Sequence, residues 1–386
     1  MTVKEAKRIQ LIQPFHVMAL LARARELEAA GHSIIHMEIG EPDFITPQPL
    51  IDAGIKALQD GHTHYTPATG LFALREKIAG FYQARYGIHV EPERIVVTPG
   101  ASSALQLVLA ALVNSGDRVL LSDPGYPCNR NFVHLLNGEP VAMPVGAASG
   151  YQPLPQQVSD SWTQQTRALL VASPSNPTGT LLDESRLRDY YAITNKKGGS
   201  LIVDEIYHGL TYDGPATTAL AVSDDVFVVN SFSKYFGMTG WRLGWLVAPR
   251  EVIPDIDKLA QNLFLAAPTL AQYAALRAFD KDVLAILDRR RDAFRARRDY
   301  LLPELRAIGF EIPVNPSGAF YLYANCSRFT DDSQAFANRL LEDAGVAITP
   351  GIDFGSNRPE HYVRFAYTTS LENLQEGVRR LAEALG

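Results

Sequence analysis

The stretch Val226-Phe227-Val228-Val229-Asn230-Ser231-Phe232-Ser233-Lys234 passes from a wholly apolar segment into serines and a lysine, with Arg242 eight residues further on. A short run this apolar and this rich in β-branched residues predicts a strand buried on both faces, which requires a sheet covered by helices. The same signature recurs outward from it. Arg94 to Thr98, Arg118 to Ser122, Arg167 to Val171 and Ser200 to Val203 read as strands upstream, and Leu243 to Val247 reads as one downstream. Helical patterns at 103–113, 128–136 and 183–197 lie between them. Strands alternating with crossover-length helices predict a mainly parallel α/β sheet. The last two strands are close in sequence, so one of them is expected to run antiparallel at or near an edge.

Beyond about residue 250 the rhythm changes. Val283 to Ile308 carries apolar residues at helical spacing among many arginines and predicts a long helix bridging two domains. A strand at Ala319 to Tyr323, a helix near Gln334 to Ala344, a strand at Tyr362 to Ala366 and a final helix predict a smaller α+β domain. Residues 1–45 form an arm and helix that can pack on either part.

The bulk properties exclude several function classes. The 386 residues carry a formal net charge of −6, which gives no electrostatic case for nucleic acid or an anionic membrane surface. No apolar stretch approaches the roughly 20 residues of a spanning helix. Met1 to Arg8 lacks the apolar core of a secretory signal. Cys128 and Cys326 are far apart and keep no zinc spacing, so reduced thiols in a cytoplasmic protein are expected. His62 and His64 are two apart, not at the i,i+4 spacing of a two-histidine metal site, and no metal is expected.

The chemistry concentrates around Lys234. Burying an ammonium at a strand end is costly, so desolvation and nearby cations lower its pKa and leave a nucleophilic amine. Ser231, Ser233 and Arg242 supply donors for a phosphate oxyanion. Gly100-Ala101-Ser102, between a strand and a helix, lets backbone N–H groups approach an anion at the positive helix end. A nucleophilic lysine beside a phosphate site is what pyridoxal phosphate requires. Asp204 ends its strand at the carboxyl edge of the sheet, where it can keep a pyridine nitrogen protonated. Tyr207 and Asn176, in the turn Asn176-Pro177-Thr178-Gly179, can donate to the cofactor's phenolate oxygen; each also reads plainly as a strand-exit or turn residue.

Together these pieces resemble the fold-type I pyridoxal-phosphate enzymes, specifically the class I/II aminotransferases. The resemblance runs from Ile39-Gly40-Glu41-Pro42-Asp43-Phe44 to Arg364-Phe365-Ala366, and its most specific part is Ser231-Phe232-Ser233-Lys234 with Gly240-Trp241-Arg242-Leu243-Gly244. It implies a large domain at 46–285 with a mainly parallel seven-stranded sheet sandwiched by helices. Residues 1–45 and 286–386 then form the arm and a smaller α+β domain. It implies that Lys234 is the Schiff-base lysine and afterwards the proton carrier, that Asp204 is the ring-nitrogen carboxylate, and that Asn176 and Tyr207 are the phenolate partners. Ala101, Ser102, Ser231 and Arg242 match the phosphate cup, and Tyr126, in Pro124-Gly125-Tyr126-Pro127, matches the aromatic stacked on the ring. Arg364 matches the clamp on the substrate α-carboxylate, with Gly40 beside it. Tyr65 matches a tyrosine reaching the phosphate of a neighbouring subunit, which implies a homodimer. The implied reaction is ping-pong transfer of an amino group from an L-amino acid to a 2-oxo acid such as 2-oxoglutarate or pyruvate.

The substrate's side chain is less legible. Related aspartate-preferring enzymes often carry a lysine at or near the place of Ser102, so a neutral or broad donor is expected here. Arg130, one helical turn after Tyr126, is an alternative cation but is expected to be a solvated helix arginine. Phe15, Tyr126 and Tyr323 read equally as pocket or core residues. The same cofactor site supports elimination, as in C–S lyases. A ligand-sensor reading requires a basic helix-turn-helix segment, which the sequence does not offer.

Overall fold

The computed structural model describes residues 4–386; residues 1–3, part of the arm expected at 1–45, lie outside the described residues. Seven strands form one sheet: β1 (Ile95–Thr98), β2 (Arg118–Asp123), β3 (Glu139–Pro144), β4 (Thr166–Ala172), β5 (Ser200–Asp204), β6 (Phe227–Ser231) and β7 (Gly244–Val247). Their spatial order is β1-β7-β6-β5-β4-β2-β3. β7 is antiparallel to both its neighbours, β1 and β6, and the other pairs are parallel. The antiparallel strand expected near an edge is therefore β7, one place in from the edge strand β1.

Side chains alternate through the sheet with the period of two that a strand imposes. Leu169, Val171, Leu201, Val203 and Val228 enter the core on one face. Ala168, Leu170, Ile202, Phe227 and Val229 enter the core on the other. Both faces are dry, as the apolar runs predict. The helices α1 (His16–Ala29), α2 (Ala101–Leu112), α3 (Pro127–Leu135) and α4 (Glu184–Lys196) precede the long α5 (Lys281–Ile308). Asp183 caps α4 through Arg186 N.

A second sheet lies in the C-terminal part. β8 (Tyr321–Asn325), β9 (Thr349–Pro350) and β10 (Tyr362–Ala366) are antiparallel in the order β9-β10-β8. α6 (Ser333–Ala344) and α7 (Leu371–Leu385) accompany it. β8 starts two residues later than the pattern 319–323 predicts. Ala319 has φ 57°, a left-handed turn conformation that ends the approach loop before the strand can begin.

The arm packs on this C-terminal part. Ile35 and His36 pair in parallel with Val346 and Ala347. The backbone N–H groups of His16 and Val17 donate to the Asp353 carboxylate at 2.8 and 2.9 Å, so a remote aspartate caps α1. Among the described residues no helix is long and apolar enough to cross a membrane.

Candidate active site

The carboxyl ends of β2, β4, β5 and β6, and the turn after β1, all open on the same edge of the large sheet, and the sequence-predicted residues collect there. After Ser231 the chain forms a strapped loop. Phe232 N donates to Leu243 O at 3.0 Å and Met238 N to Phe232 O at 3.0 Å. Phe232, Tyr235 and Phe236 are buried on either side of Lys234. The lysine amine is left free of this anchoring, and its Nζ reaches across to donate to Gly40 O at 2.7 Å.

Its proton affinity follows from that setting. Desolvation is the main cause that lowers the Lys234 pKa to about 8; Arg364 and Arg242 act in the same direction, against Glu41 and Asp204. A pKa lowered in the folded protein means that the amine is neutral above about pH 8 instead of above its ordinary range. The cofactor-free protein is therefore expected to take up pyridoxal phosphate covalently at a rate that rises with pH through about 8 and then levels off. Stopped-flow absorbance measures this, and a midpoint in the ordinary lysine range contradicts the burial argument.

Asp204 ends β5 and is buried; its Oδ1 accepts from Ile206 N at 3.2 Å. Burial lifts its pKa to about 7, opposed by that hydrogen bond and by Lys234. The Tyr207 hydroxyl lies 2.9 Å from that of Tyr321. Asn176 sits in a loop closed by Ser175 N→Thr180 O at 2.9 Å and Gly179 N→Ser175 O at 2.8 Å. Its Oδ1 accepts from Arg364 Nη1 at 2.8 Å, which leaves the amide N–H₂ for the cleft.

The anion cradle is built by strand register. Gly244 pairs with both Thr98 and Ser231, which draws Arg242 against the turn after β1. A Cβ on Gly100 would sit 2.6 Å from Arg242 Nη2, and one on Gly244 would sit 2.7 Å from Ala101 N. Gly100 also has φ 80°, so glycine is required there twice over. Arg242 Nη1 donates to Thr239 O at 3.0 Å, and Ser233 N donates to Ser231 Oγ at 3.0 Å. The start of α2, Ser231 and Arg242 are thus brought close together at this edge of the sheet.

Arg364, on β10, is buried and has no acidic partner among the described residues. Its Nη2 donates to Glu38 O at 2.6 Å and to Thr349 Oγ1 at 3.2 Å, while Nε finds no partner. The guanidinium lies 4.2 Å from the Tyr321 ring centroid and 4.8 Å from that of Phe354. Gly40 leaves room for Tyr321, whose hydroxyl would be 2.0 Å from a Cβ there. Tyr321 therefore touches the surroundings of Tyr207, Gly40 and Arg364 at once. The sequence shows it only as part of the strand expected at Ala319 to Tyr323; that apolar context hides a hydroxyl that bonds Tyr207.

Tyr126 precedes α3, and its hydroxyl accepts from Cys128 Sγ at 3.2 Å. The Phe15 ring stands 6.4 Å away. Tyr323 belongs to a satellite core instead, stacked on Tyr362 at 4.7 Å. Tyr65 has 83% of its surface exposed. Arg130 is not the solvated arginine expected. It is partly buried and lines a cavity of about 310 Å³ with Tyr126 and Asn176, and its Nη2 donates to Asp353 O at 2.9 Å. The helix start is tucked under the 352–356 loop, a long-range contact that helical spacing does not reveal.

A desolvated lysine, a buried strand-end carboxylate, a helix-end anion cradle and an unpaired arginine define an α/β enzyme built for a phosphate-bearing aldehyde cofactor and a carboxylate substrate. The chain belongs to the family Aminotransferase class I and II, whose model matches residues 32–381. Its members use pyridoxal phosphate, and the residues present fit that group. The chain is 40% identical to the (5-formylfuran-3-yl)methyl phosphate transaminase of Methanocaldococcus jannaschii, over 98% of this chain and 99% of that one. It is 39% identical to the valine–pyruvate aminotransferase of Mycobacterium tuberculosis, over 97% of each. Among solved structures, the aspartate aminotransferase of Thermus thermophilus with maleate superposes with a TM-score of 0.94 at 35% identity, covering 100% of both chains. An aminotransferase from Mycobacterium tuberculosis gives 0.96 at 38% identity, covering 100% of this chain and 99% of that one. The protein is an aminotransferase.

Proposed function

We propose that this aminotransferase works by a ping-pong cycle centred on Lys234, with neutral or broad amino donors and a 2-oxo acid acceptor. The observation that carries the proposal is the segment Glu38–Gly40. Gly40 O accepts from Lys234 at 2.7 Å and Glu38 O accepts from Arg364 at 2.6 Å, so one short stretch spaces the amine from the carboxylate clamp. An amino acid presents its amino group and its carboxylate at just such neighbouring points.

Ala101, Ser102, Ser231, Ser233 and Arg242 hold the cofactor phosphate, Tyr126 covers one ring face, and Asn176 and Tyr207 donate to the phenolate oxygen. Bound pyridoxal phosphate supplies an electrophilic carbon for the amino group and a ring that takes up the electron pair left at Cα. Arg364 grips the substrate carboxylate by two parallel N–H donors and fixes which bond at Cα faces Lys234. The freed Lys234 amine takes the Cα proton and delivers it to C4′. Asp204 holds a proton on the ring nitrogen throughout. Tyr321 positions Tyr207 and Arg364 through its hydroxyl and ring.

Tyr65, too exposed to serve its own cleft, reaches the phosphate of a second copy in a homodimer. The chain divides at 45/46 and 285/286, the second cut falling in the first turns of α5. Two cysteines without a disulfide and an acidic charge balance support a cytoplasmic place.

Arg364→Met tests the clamp. With two charge-assisted hydrogen bonds lost, at ~1.5–3 kcal/mol each, kcat/KM for amino acids is expected to fall about 10³-fold. The loss appears mainly in KM, while cofactor content stays at one per chain. Unchanged KM with a lower cofactor content would move Arg364 from the substrate to the cofactor.

A further inference from the structure

The cavity that Tyr126 and Asn176 line also carries a cation, Arg130. Arg130 lies one turn of α3, ~6 Å of rise, beyond Tyr126. It makes no ion pair among the described residues; one guanidinium nitrogen donates to Asp353 O at 2.9 Å, and the residue lines the cavity. Both neighbouring acids are already engaged. Asp353 accepts from His16 N and Val17 N. Asp123 accepts from Ser356 N and Oγ at 2.9 and 2.8 Å, and from Asn357 N at 3.4 Å. Asn129, only 8% exposed, lines the same cavity and has its Oδ1 without a partner. Its amide nitrogen makes no hydrogen bond among the described residues either, so the whole amide is free and its N–H₂ can donate. Leu121, Pro140, Leu170 and Ile352 supply apolar lining in the same cavity.

A partly buried cation with no counter-ion is unfavourable unless an anion arrives. Desolvation lowers the Arg130 pKa despite Asp123 and Asp353 nearby, so those acids do not compensate its burial. We infer that Arg130 is the specificity residue that receives the distal carboxylate of a dicarboxylic 2-oxo acid or amino acid, with Asn129 as a second donor. The apolar walls take the intervening methylenes and also fit neutral donors, which leave Arg130 without its anion, so donor use is broad with dicarboxylic donors preferred. The inference rests on the proposed aminotransferase site, and it assigns the acceptor class: a five-carbon oxo acid with two carboxylates in preference to pyruvate.

The test uses the cofactor-loaded protein and two readouts. In single-turnover spectroscopy, wild type is expected to prefer glutamate over norvaline, its neutral analogue of equal chain length, by about thirtyfold, the worth of one charge-assisted pair. Arg130→Gln removes that preference by lowering kcat/KM for glutamate about thirtyfold and for norvaline less than threefold, and Arg130→Lys restores part of it. By calorimetry, glutarate binds wild type more tightly than butyrate, and Arg130→Gln abolishes the difference. A wild type without preference overturns the inference whatever the variant does, and so do equal losses for both amino acids in Arg130→Gln. Glutarate binding that depends on Arg130 in a protein that transaminates neither amino acid keeps the anion subsite and sinks the proposed reaction instead.

Discussion

Lys234→Ala is expected to lower transamination by at least about 10⁴-fold, because one substitution removes both the covalent anchor and the proton carrier. The protein still binds pyridoxal phosphate through the cradle of Gly100–Ser102, Ser231 and Arg242, since none of those groups depends on the lysine for its position. Binding becomes reversible: the cofactor leaves on dialysis, and borohydride no longer fixes it to the chain. The fold survives, because the Lys234 side chain makes a single hydrogen bond among the described residues, to Gly40 O, while Phe232, Tyr235 and Phe236 carry the packing. Keeping the positive charge does not rescue the reaction. Lys234→Arg is expected to be as inactive as Lys234→Ala, because a guanidinium does not lose its proton near neutral pH. Retention of more than about a hundredth of the activity in Lys234→Ala would remove the lysine from the reaction.

Asp204→Asn carries the second large effect, a fall in kcat of about 10³-fold with cofactor still covalently held. A neutral amide cannot stabilise a proton on the ring nitrogen, so the electron pair from Cα loses its sink. The same change is expected to stabilise the cofactor-free protein. Burial raises the Asp204 pKa to about 7 in the fold, so ionising it there costs free energy that the unfolded chain does not incur. That cost grows as pH rises from the ordinary carboxylate range to about 7 and is constant above it. The gain in Asp204→Asn should follow the same course, near zero in acid and full above about pH 7. A cofactor held here would offset that cost, because Asp204 would then face a protonated ring nitrogen. Chemical denaturation of the cofactor-free proteins at about pH 4 and about pH 8 measures the difference. A variant that loses stability relative to wild type between the acid and the alkaline value contradicts this reading.

Much of the candidate site was legible because its residues sit where apolar strands stop. Asp204 and Ser231 are the last residues of β5 and β6, and Gly100 follows β1 by two residues, so a polar or small residue interrupting an apolar run marks the sheet edge. The strand β3 escaped this reading. It is an edge strand, carries Pro140 and Pro144, and buries only Met143 fully, so it lacks the signature of its neighbours. Only the family resemblance implied a seventh strand. Contacts between distant segments were equally hidden. The pairing of Ile35–His36 with Val346–Ala347, the capping of α1 by Asp353 and the tether from Arg130 to the same residue depend on tertiary placement, which residue spacing does not encode. Thr349 at the clamp is another such case, since nothing local distinguishes it from any strand threonine.

The most direct test of the central claim is a single turnover without acceptor. Cofactor-loaded protein mixed with excess L-amino acid is predicted to release one equivalent of 2-oxo acid per active site and stop, with the covalent cofactor band lost and no ammonia formed. Addition of 2-oxoglutarate then restores the band. Continued release of oxo acid with ammonia, in the absence of any acceptor, would contradict amino transfer through Lys234 and establish elimination in its place.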